Sequence, residues 1–336
     1  MEQGKAYWDG ERYLDPEVAL RHFSRAIDID PRNVPAHTRR GHAHASLGRF
    51  REAVADYDRA LVLRPGMVEA HHLRGIALAR LGEHQRAIRD FTLALVIDPA
   101  YTKAYAQRGV VYSTMGQYQR AIRDYDQALR RQPAWPAILN NRGLAHAQLG
   151  LTRRAIADYS EAIRLGLNSA FTFNNRGMAY SQIRRYDKAI EDFDSAVSID
   201  PAYAPAYFNS ASAKMVLKRY EDVVADLGRA IEIDPKFGAS YRLRGNALFE
   251  LERPKQACRD LYKSCALQNS PVCRALKYIC PRSGPLPGFG PPSPVPKAPA
   301  PPTPITRGPG GPPPPRNSIG LAACVACGST PRRHSS

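Results

Sequence analysis

Apolar residues recur along most of this chain three or four residues apart, which is the spacing of amphipathic α-helices. Residues 70–81 form one such stretch and residues 84–96 form the next, with Gly82 between them. Asp98 and Pro99 follow the second stretch, and proline cannot continue a helix. The pattern therefore predicts two amphipathic helices joined by a tight turn.

This two-helix unit repeats, because four series of residues recur in one phase at intervals of 34 residues or twice that interval. The prolines are Pro31, Pro65, Pro99, Pro133, Pro201 and Pro235. The glycines are Gly41, Gly75, Gly109, Gly143, Gly177 and Gly245. The two alanine series are Ala53, Ala87, Ala121, Ala155, Ala189 and Ala257, and Ala26, Ala60, Ala94, Ala128, Ala162, Ala196 and Ala230. One unit cannot bury its apolar face alone, so we expect stacked neighbours to cover it.

The pattern resembles the tetratricopeptide repeat, which has small residues at its eighth, twentieth and twenty-seventh positions and proline at its thirty-second. Its aromatic twenty-fourth position is filled here by Tyr57, Phe91, Tyr125, Tyr159 and Phe193. The resemblance implies an all-α fold, an α-solenoid of helix-turn-helix repeats that forms a right-handed superhelix with a concave inner face. We predict a partial capping repeat at residues 1–33, seven full repeats and a capping helix at residues 272–280. The repeats span residues 34–67, 68–101, 102–135, 136–169, 170–203, 204–237 and 238–271.

The resemblance also places a binding groove on the inner face, lined by the second, fifth, sixth, ninth, twelfth and thirteenth repeat positions. Amides fill the sixth position in four successive repeats and the fifth in two, and three apolar side chains share this surface. The groove residues are Gln107, Asn140, Asn141, Asn174, Asn175, Asn209, Phe171, Met178 and Phe208. Amides can bind the backbone of an extended peptide with little regard for its side chains. The alternative is that each asparagine caps or bonds within its own repeat.

Two series of opposite charge share the repeat spacing. The arginines are Arg40, Arg74, Arg108, Arg142, Arg176 and Arg244. The aspartates are Asp56, Asp90, Asp124, Asp158, Asp192, Asp226 and Asp260. Because both signs recur together, we interpret them as ion pairs between the first and second helices. The alternative is an arginine stripe that binds an acidic ligand.

Five histidines, His37, His42, His44, His71 and His72, crowd the first two full repeats. Imidazoles bind transition metals and titrate near neutral pH, and the resemblance places His42 and His72 in the groove. No cysteine or pair of carboxylates completes a metal shell beside them. We therefore expect solvent-facing or packing histidines and neither a metal nor another cofactor.

Cys258, Cys265, Cys273 and Cys280 lie seven, eight and seven residues apart around a turn near Pro271. Seven residues return to the same helix face, so an antiparallel hairpin would pair Cys265 with Cys273 and Cys258 with Cys280. These possible disulfides would fasten the last repeat to the capping helix. Reduced thiols and a four-thiolate zinc site are the alternatives.

The formal net charge is +17, and nine positive charges follow Leu261, where no Asp or Glu occurs. Residues 281–336 are rich in Pro and Gly, which predicts a disordered basic tail with polyproline bias. The tail is either a tether or a ligand for a proline-reading domain. It also contains the Cys-x-x-Cys motif of Cys324 and Cys327.

No run approaches the roughly 20 apolar residues of a membrane helix, and residues 1–14 lack the apolar core of a signal peptide. We therefore expect a cytoplasmic protein with no membrane span. The alternative is an exported, periplasmic protein, if the cysteines form disulfides and the N-terminus is truncated.

No phosphate loop, nucleophile elbow or complete metal shell occurs, so we expect no catalytic residues and no enzyme activity. We predict a protein–protein interaction scaffold that binds an extended peptide or a partner protein in the groove. The less favoured alternative is a nucleic-acid-associated protein that uses the basic tail, with binding that falls steeply with salt.

Overall fold

The computed structural model describes residues 15–268 together with Cys273, Leu276 and Cys280. These residues form fifteen α-helices, and no β-strand occurs among them, which confirms the all-α fold class. The helices are α1 Pro16–Ile29, α2 Val34–Ser46, α3 Phe50–Leu63, α4 Val68–Arg80, α5 His84–Ile97, α6 Thr102–Thr114, α7 Tyr118–Arg131, α8 Pro136–Gln148, α9 Thr152–Arg164, α10 Ala170–Gln182, α11 Tyr186–Ile199, α12 Ala204–Val216, α13 Tyr220–Ile233, α14 Gly238–Glu250 and α15 Pro254–Gln268. Residues 1–14, the remainder of the predicted capping helix 272–280 and the predicted tail 281–336 lie outside the described residues.

The turn between the two helices of a repeat places one residue in the left-handed region of the backbone. In four repeats that residue is a glycine with φ between 72 and 79°, namely Gly48, Gly82, Gly116 and Gly150. Glycine adopts this conformation without a steric penalty because it has no Cβ atom. In the next three repeats Arg184, Lys218 and Glu252 adopt it, with φ between 57 and 60°.

The core of each repeat consists of alanines packed around one aromatic ring. The five aromatic side chains predicted from the repeat pattern are at most 1% exposed, namely Tyr57, Phe91, Tyr125, Tyr159 and Phe193. Each ring lies against the glycine at the eighth repeat position. A Cβ atom added to Gly109 would lie 2.6 Å from Tyr125 Cε1, so the two helices approach closely only because this residue has no side chain.

Two compact units divide between Ala213 and Lys214, within α12. In the first unit, consecutive helices from α1 to α11 pack against one another. The first helices of successive repeats, α2, α4, α6, α8 and α10, also contact one another in that order and form an inner layer. In the second unit, α14 packs against both α13 and α15.

Two disulfides in the second unit join α15 to the segment that follows it. Cys258 is bonded to Cys280 and Cys265 to Cys273, with Cα–Cα distances of 5.6 and 5.5 Å. The Tyr262 hydroxyl donates a 2.7 Å hydrogen bond to the carbonyl of Cys280. These cysteine pairs are the same as those of the antiparallel hairpin considered from the sequence.

Candidate functional site

Six arginines at one repeat position each bind an aspartate on the second helix of the same repeat. The pairs are Arg40–Asp56, Arg74–Asp90, Arg108–Asp124, Arg142–Asp158, Arg176–Asp192 and Arg244–Asp260. Arg108, for example, donates from Nε to Asp124 Oδ2 over 2.7 Å and from Nη2 to Oδ1 over 2.8 Å. The predicted ion pairs between first and second helices are confirmed. These arginines are therefore committed to the fold and do not form a free stripe for an acidic ligand.

A third guanidinium nitrogen of these arginines reaches the preceding repeat in the first unit. Arg74 Nη1 donates to Asp58 over 2.6 Å, and Arg142 Nη1 donates to Asp126 over 2.7 Å. The equivalent bonds are Arg40 to Ser24, Arg108 to Thr92 and Arg176 to Ser160. Sequence reasoning missed this second set of partners. The available signal was a polar residue every 34 residues, from Ser24 to Ser160.

The repeat at residues 204–237 has Ser210 at the arginine position and supplies a different cation to its aspartate. Lys214, one helical turn later, donates to Asp226 Oδ2 over 2.7 Å, and the lysine side chain is only 9% exposed. Sequence reasoning did not assign this pair, because Lys214 stands four residues from the position that arginine occupies elsewhere.

The pKa of Asp158 is shifted in the opposite direction from the pKa of Asp192, because His146 also bonds Asp158. Burial raises the pKa of Asp158, but hydrogen bonds from His146 and Arg142 outweigh burial and hold this pKa below its ordinary value. The His146 Nδ1 atom lies 2.8 Å from Asp158 Oδ2. At Asp192, burial raises the pKa above its ordinary value despite the bond from Arg176.

Three of the predicted groove amides bond between neighbouring first helices. Asn140 is 8% exposed, and its Oδ1 accepts a 3.1 Å hydrogen bond from the Thr172 hydroxyl. Asn174 is 4% exposed, and its Oδ1 accepts a 2.8 Å bond from Asn209 Nδ2. Both bonds join adjacent repeats within the first unit rather than staying inside one repeat. They stabilise the inner layer of first helices.

The other three predicted groove amides have side chains that form no hydrogen bond with any described residue. They are Gln107 on α6, Asn141 on α8 and Asn175 on α10, and each is partly buried. The Nδ2 atom of Asn175 is buried and has no partner within the part of the chain that the structure describes. These amides occupy the same position in three successive repeats.

The predicted apolar groove residues lie on α10 and α12. Phe171 and Phe208 are partly buried, whereas Met178 is 41% exposed. The Met178 sulfur accepts a 3.6 Å hydrogen bond from Asn174 Nδ2. Met178 is thus held against the inner layer while much of its side chain remains available to a ligand.

The histidines of the first two full repeats mostly pack into the fold. His37 and His71 place Nε2 at 3.1 and 3.0 Å from the carbonyls of Pro31 and Pro65. Burial, with a smaller effect of Lys103, lowers the pKa of His72 to about 4. Within the described ranges, no three His, Cys, Asp or Glu side chains are placed to hold a metal ion.

Family models of the tetratricopeptide repeat match residues 38–102, 107–170, 170–203 and 204–237, which together span more than half of the chain. The chain belongs to the tetratricopeptide repeat family. Its tetratricopeptide repeats support a role as a protein-interaction scaffold. No curated protein gave a match.

Solved tetratricopeptide repeat structures share this fold. The C-terminal part of a repeat protein from Cytophaga hutchinsonii is 15% identical, with a TM-score of 0.56, and the match covers 67% of this chain and 93% of that one. A protein from Parabacteroides merdae is 19% identical, with a TM-score of 0.53 and coverage of 77% and 98%. YrrB, described as a TPR protein with an unusual peptide-binding site, is 22% identical, with a TM-score of 0.50 and coverage of 58% and 97%. At these identities the likeness concerns the fold alone.

Among the described residues, the helices are too short or too polar for any of them to cross a membrane.

Proposed function

We propose that this protein is a non-catalytic scaffold that binds an extended peptide segment of a partner protein on the inner layer of its first unit. The observation that carries the proposal is that the side chains of Gln107, Asn141 and Asn175 form no hydrogen bond with any described residue, although they occupy one position of three successive repeats. Each amide can donate to a peptide carbonyl and accept from a peptide N–H group, so a row of amides recognises backbone.

Asn175 adds an energetic reason for a ligand. Its buried Nδ2 has no partner among the described residues, and an unpaired buried donor costs about 1–3 kcal/mol. A rotation of the side chain would bring this donor to a peptide carbonyl, and the bond formed there would remove that cost. Met178, one helical turn further along α10, offers apolar surface to a side chain of the same peptide.

The bonded asparagines prepare the row for binding. The bonds from Thr172 to Asn140 and from Asn209 to Asn174 fix the spacing of neighbouring first helices. A surface that is already ordered loses less conformational entropy when it binds, which favours affinity.

Peptide selection tests the proposal directly. A library of random peptides is selected on the full-length protein, and the affinity of the selected peptide is measured by fluorescence anisotropy. The test variant combines Gln107→Ala, Asn141→Ala and Asn175→Ala. Three lost hydrogen bonds at about 0.5–1.5 kcal/mol each should weaken binding by about tenfold or more.

A matched variant removes amides from the second helices instead. Gln85→Ala with Gln119→Ala changes two exposed side chains, on α5 and α7, and should leave the affinity unchanged. Asn209 is left intact in both variants, because its bond to Asn174 is structural. Equal affinity of the triple variant and the wild type would show that the amides do not bind the peptide.

A further inference from the structure

Six arginines on the second helices α7 and α9 are exposed and have no acidic partner among the described residues. Arg131 is set apart, because its side chain donates to the carbonyls of Gln127 and Pro99. The other five are Arg120, Arg123, Arg130, Arg153 and Arg154, which we call the arginine face. The side chains of the last four form no hydrogen bond or ion pair with any described residue. Arg120 donates to the neutral Gln117 Oε1 over 3.0 Å.

The five side chains occupy one side of the first unit. Arg123 and Arg130 follow Arg120 at helical spacing, so all three lie on one stripe of α7. Arg154 is the equivalent of Arg120 one repeat later, and Arg153 is its neighbour. The first helix α8 packs against both α7 and α9, so the two groups of cations lie on successive second helices of neighbouring repeats.

The acids of these two helices do not neutralise the arginine face, because other cations already bind them. The pairs are Asp124 with Arg108, Asp126 and Asp158 with Arg142, and Glu161 with Arg164. The next second helix, α11, differs, since Asp187, Lys188 and Glu191 mix both signs on its exposed side. The excess of positive charge therefore does not extend onto α11, whereas Arg89 on the preceding second helix α5 is also exposed and has no acidic partner among the described residues.

The chemistry of this surface favours a polyanion. A guanidinium group can bind a phosphate through two parallel hydrogen bonds. None of the exposed large hydrophobic side chains of the described residues belongs to α7 or α9. A protein interface is centred on apolar or aromatic anchors, and a membrane-bound helix inserts apolar side chains. A nucleic acid bound through its phosphates requires neither.

We propose that the arginine face binds the phosphate backbone of a nucleic acid without regard to base sequence. This site lies on second helices, whereas the proposed peptide site lies on first helices. It is also separate from the basic tail, which lies outside the described residues.

Fluorescence anisotropy of full-length protein with a labelled oligothymidylate of about 30 nucleotides tests this proposal. The test variant replaces all five arginines of the face with glutamine. At about 50 mM sodium chloride, it should bind about tenfold or more weakly than the wild type. Each phosphate contact contributes about 0.7 to the slope of log affinity against log salt, so the loss of five contacts should make the slope shallower by about 3.5.

A second variant removes five cations from the tail and separates the two possible sites. Its changes are Arg282→Gln, Lys297→Gln, Arg307→Gln, Arg316→Gln and Arg332→Gln. We expect this variant to retain the part of the salt dependence that the arginine face contributes. If the variant of the arginine face bound the oligonucleotide as tightly as the wild type and the tail variant lost binding, the proposal would be wrong.

Other anions provide the remaining comparison. Polyglutamate and phosphatidylserine vesicles should compete poorly with the oligonucleotide at equal charge concentration. If binding of either polyanion depends on the arginine face while binding of the oligonucleotide does not, the partner is an acidic protein or a membrane and the proposal is wrong.

Circular dichroism monitors folding of the variants. Arg123→Glu and Arg154→Glu repeat the test with single changes, each expected to weaken oligonucleotide binding by about threefold or more.

Discussion

Arg142 and Asp158 are joined at 2.6 Å between Nη2 and Oδ1, and the other carboxylate oxygen of Asp158 lies 2.8 Å from His146 Nδ1. The aspartate side chain is 7% exposed and the arginine side chain 22%. Because Arg142 also binds Asp126 of the preceding repeat, one guanidinium connects three helices. This arrangement recurs along the first unit and stabilises contacts both within and between repeats.

Arg142→Ala should lower the free energy of unfolding by about 3 kcal/mol, because it leaves Asp158 buried without its main cation. Urea denaturation followed by circular dichroism measures this change. Arg123→Ala is the matched control, since that arginine is exposed and unpaired, and should change stability by no more than about 0.5 kcal/mol.

The charge reversal Arg142→Asp with Asp158→Arg should recover part of the stability that each single reversal loses. No recovery would contradict a direct pairing.

Gly109→Ala should destabilise the protein by about 1–3 kcal/mol, although alanine is the better helix former. The added Cβ would lie 2.6 Å from Tyr125 Cε1 and 2.8 Å from Cδ1, so the ring or a helix must shift. Gly66→Ala is the control, because nothing lies within 4 Å of the Cβ position there. Thermal unfolding of both variants gives the comparison, and equal melting temperatures would show that the close approach does not limit this position.

His72 should make stability depend on pH below neutrality. Burial lowers its pKa from 6.5 to about 4, so the folded state holds the neutral imidazole. The unfolded chain takes up a proton near pH 6.5, and the contribution of His72 is therefore complete above pH 6.5 and is lost as the pH falls toward 4. The loss from this one group is about 3 kcal/mol. His72→Gln should reduce the decline in unfolding free energy, measured in urea between about pH 7 and 4.5. The same decline in both proteins would show that His72 is not its source.

Cys258, Cys265, Cys273 and Cys280 should resist alkylation until the protein is reduced. We expect peptide mass spectrometry to find Cys258 with Cys280 and Cys265 with Cys273 as linked peptides before reduction. Cys258→Ser with Cys280→Ser should lower the unfolding free energy of oxidised protein by about 2–4 kcal/mol and leave reduced protein unaffected by comparison. Alkylation of all four thiols without reduction would show that the protein does not contain these disulfides.

The order of helices, their two-helix units and the Arg–Asp pairs could be predicted from the sequence, because each depends on spacing within one repeat. The glycine and aromatic residue that Gly109 and Tyr125 represent recur at a fixed separation in five repeats, and the pair that Arg142 and Asp158 represent recurs in six. Within one two-helix repeat, the number of residues between two positions determines whether their side chains meet. The packing of other repeats does not change this. Which of the four cysteines face one another across the turn follows from the same local geometry, whereas their oxidation does not.

Only the tertiary structure shows which groove amides form hydrogen bonds within the protein and which do not. Asn140 and Asn141 are adjacent and chemically identical, yet Asn140 bonds Thr172 of the next repeat while the side chain of Asn141 bonds no described residue. One residue along a helix turns the side chain by about 100°, so the two face different neighbours. The partner lies 32 residues away, and its position depends on how one repeat packs on the next. In the same way, only the structure shows that Arg123 and Arg154 are exposed and have no acidic partner among the described residues.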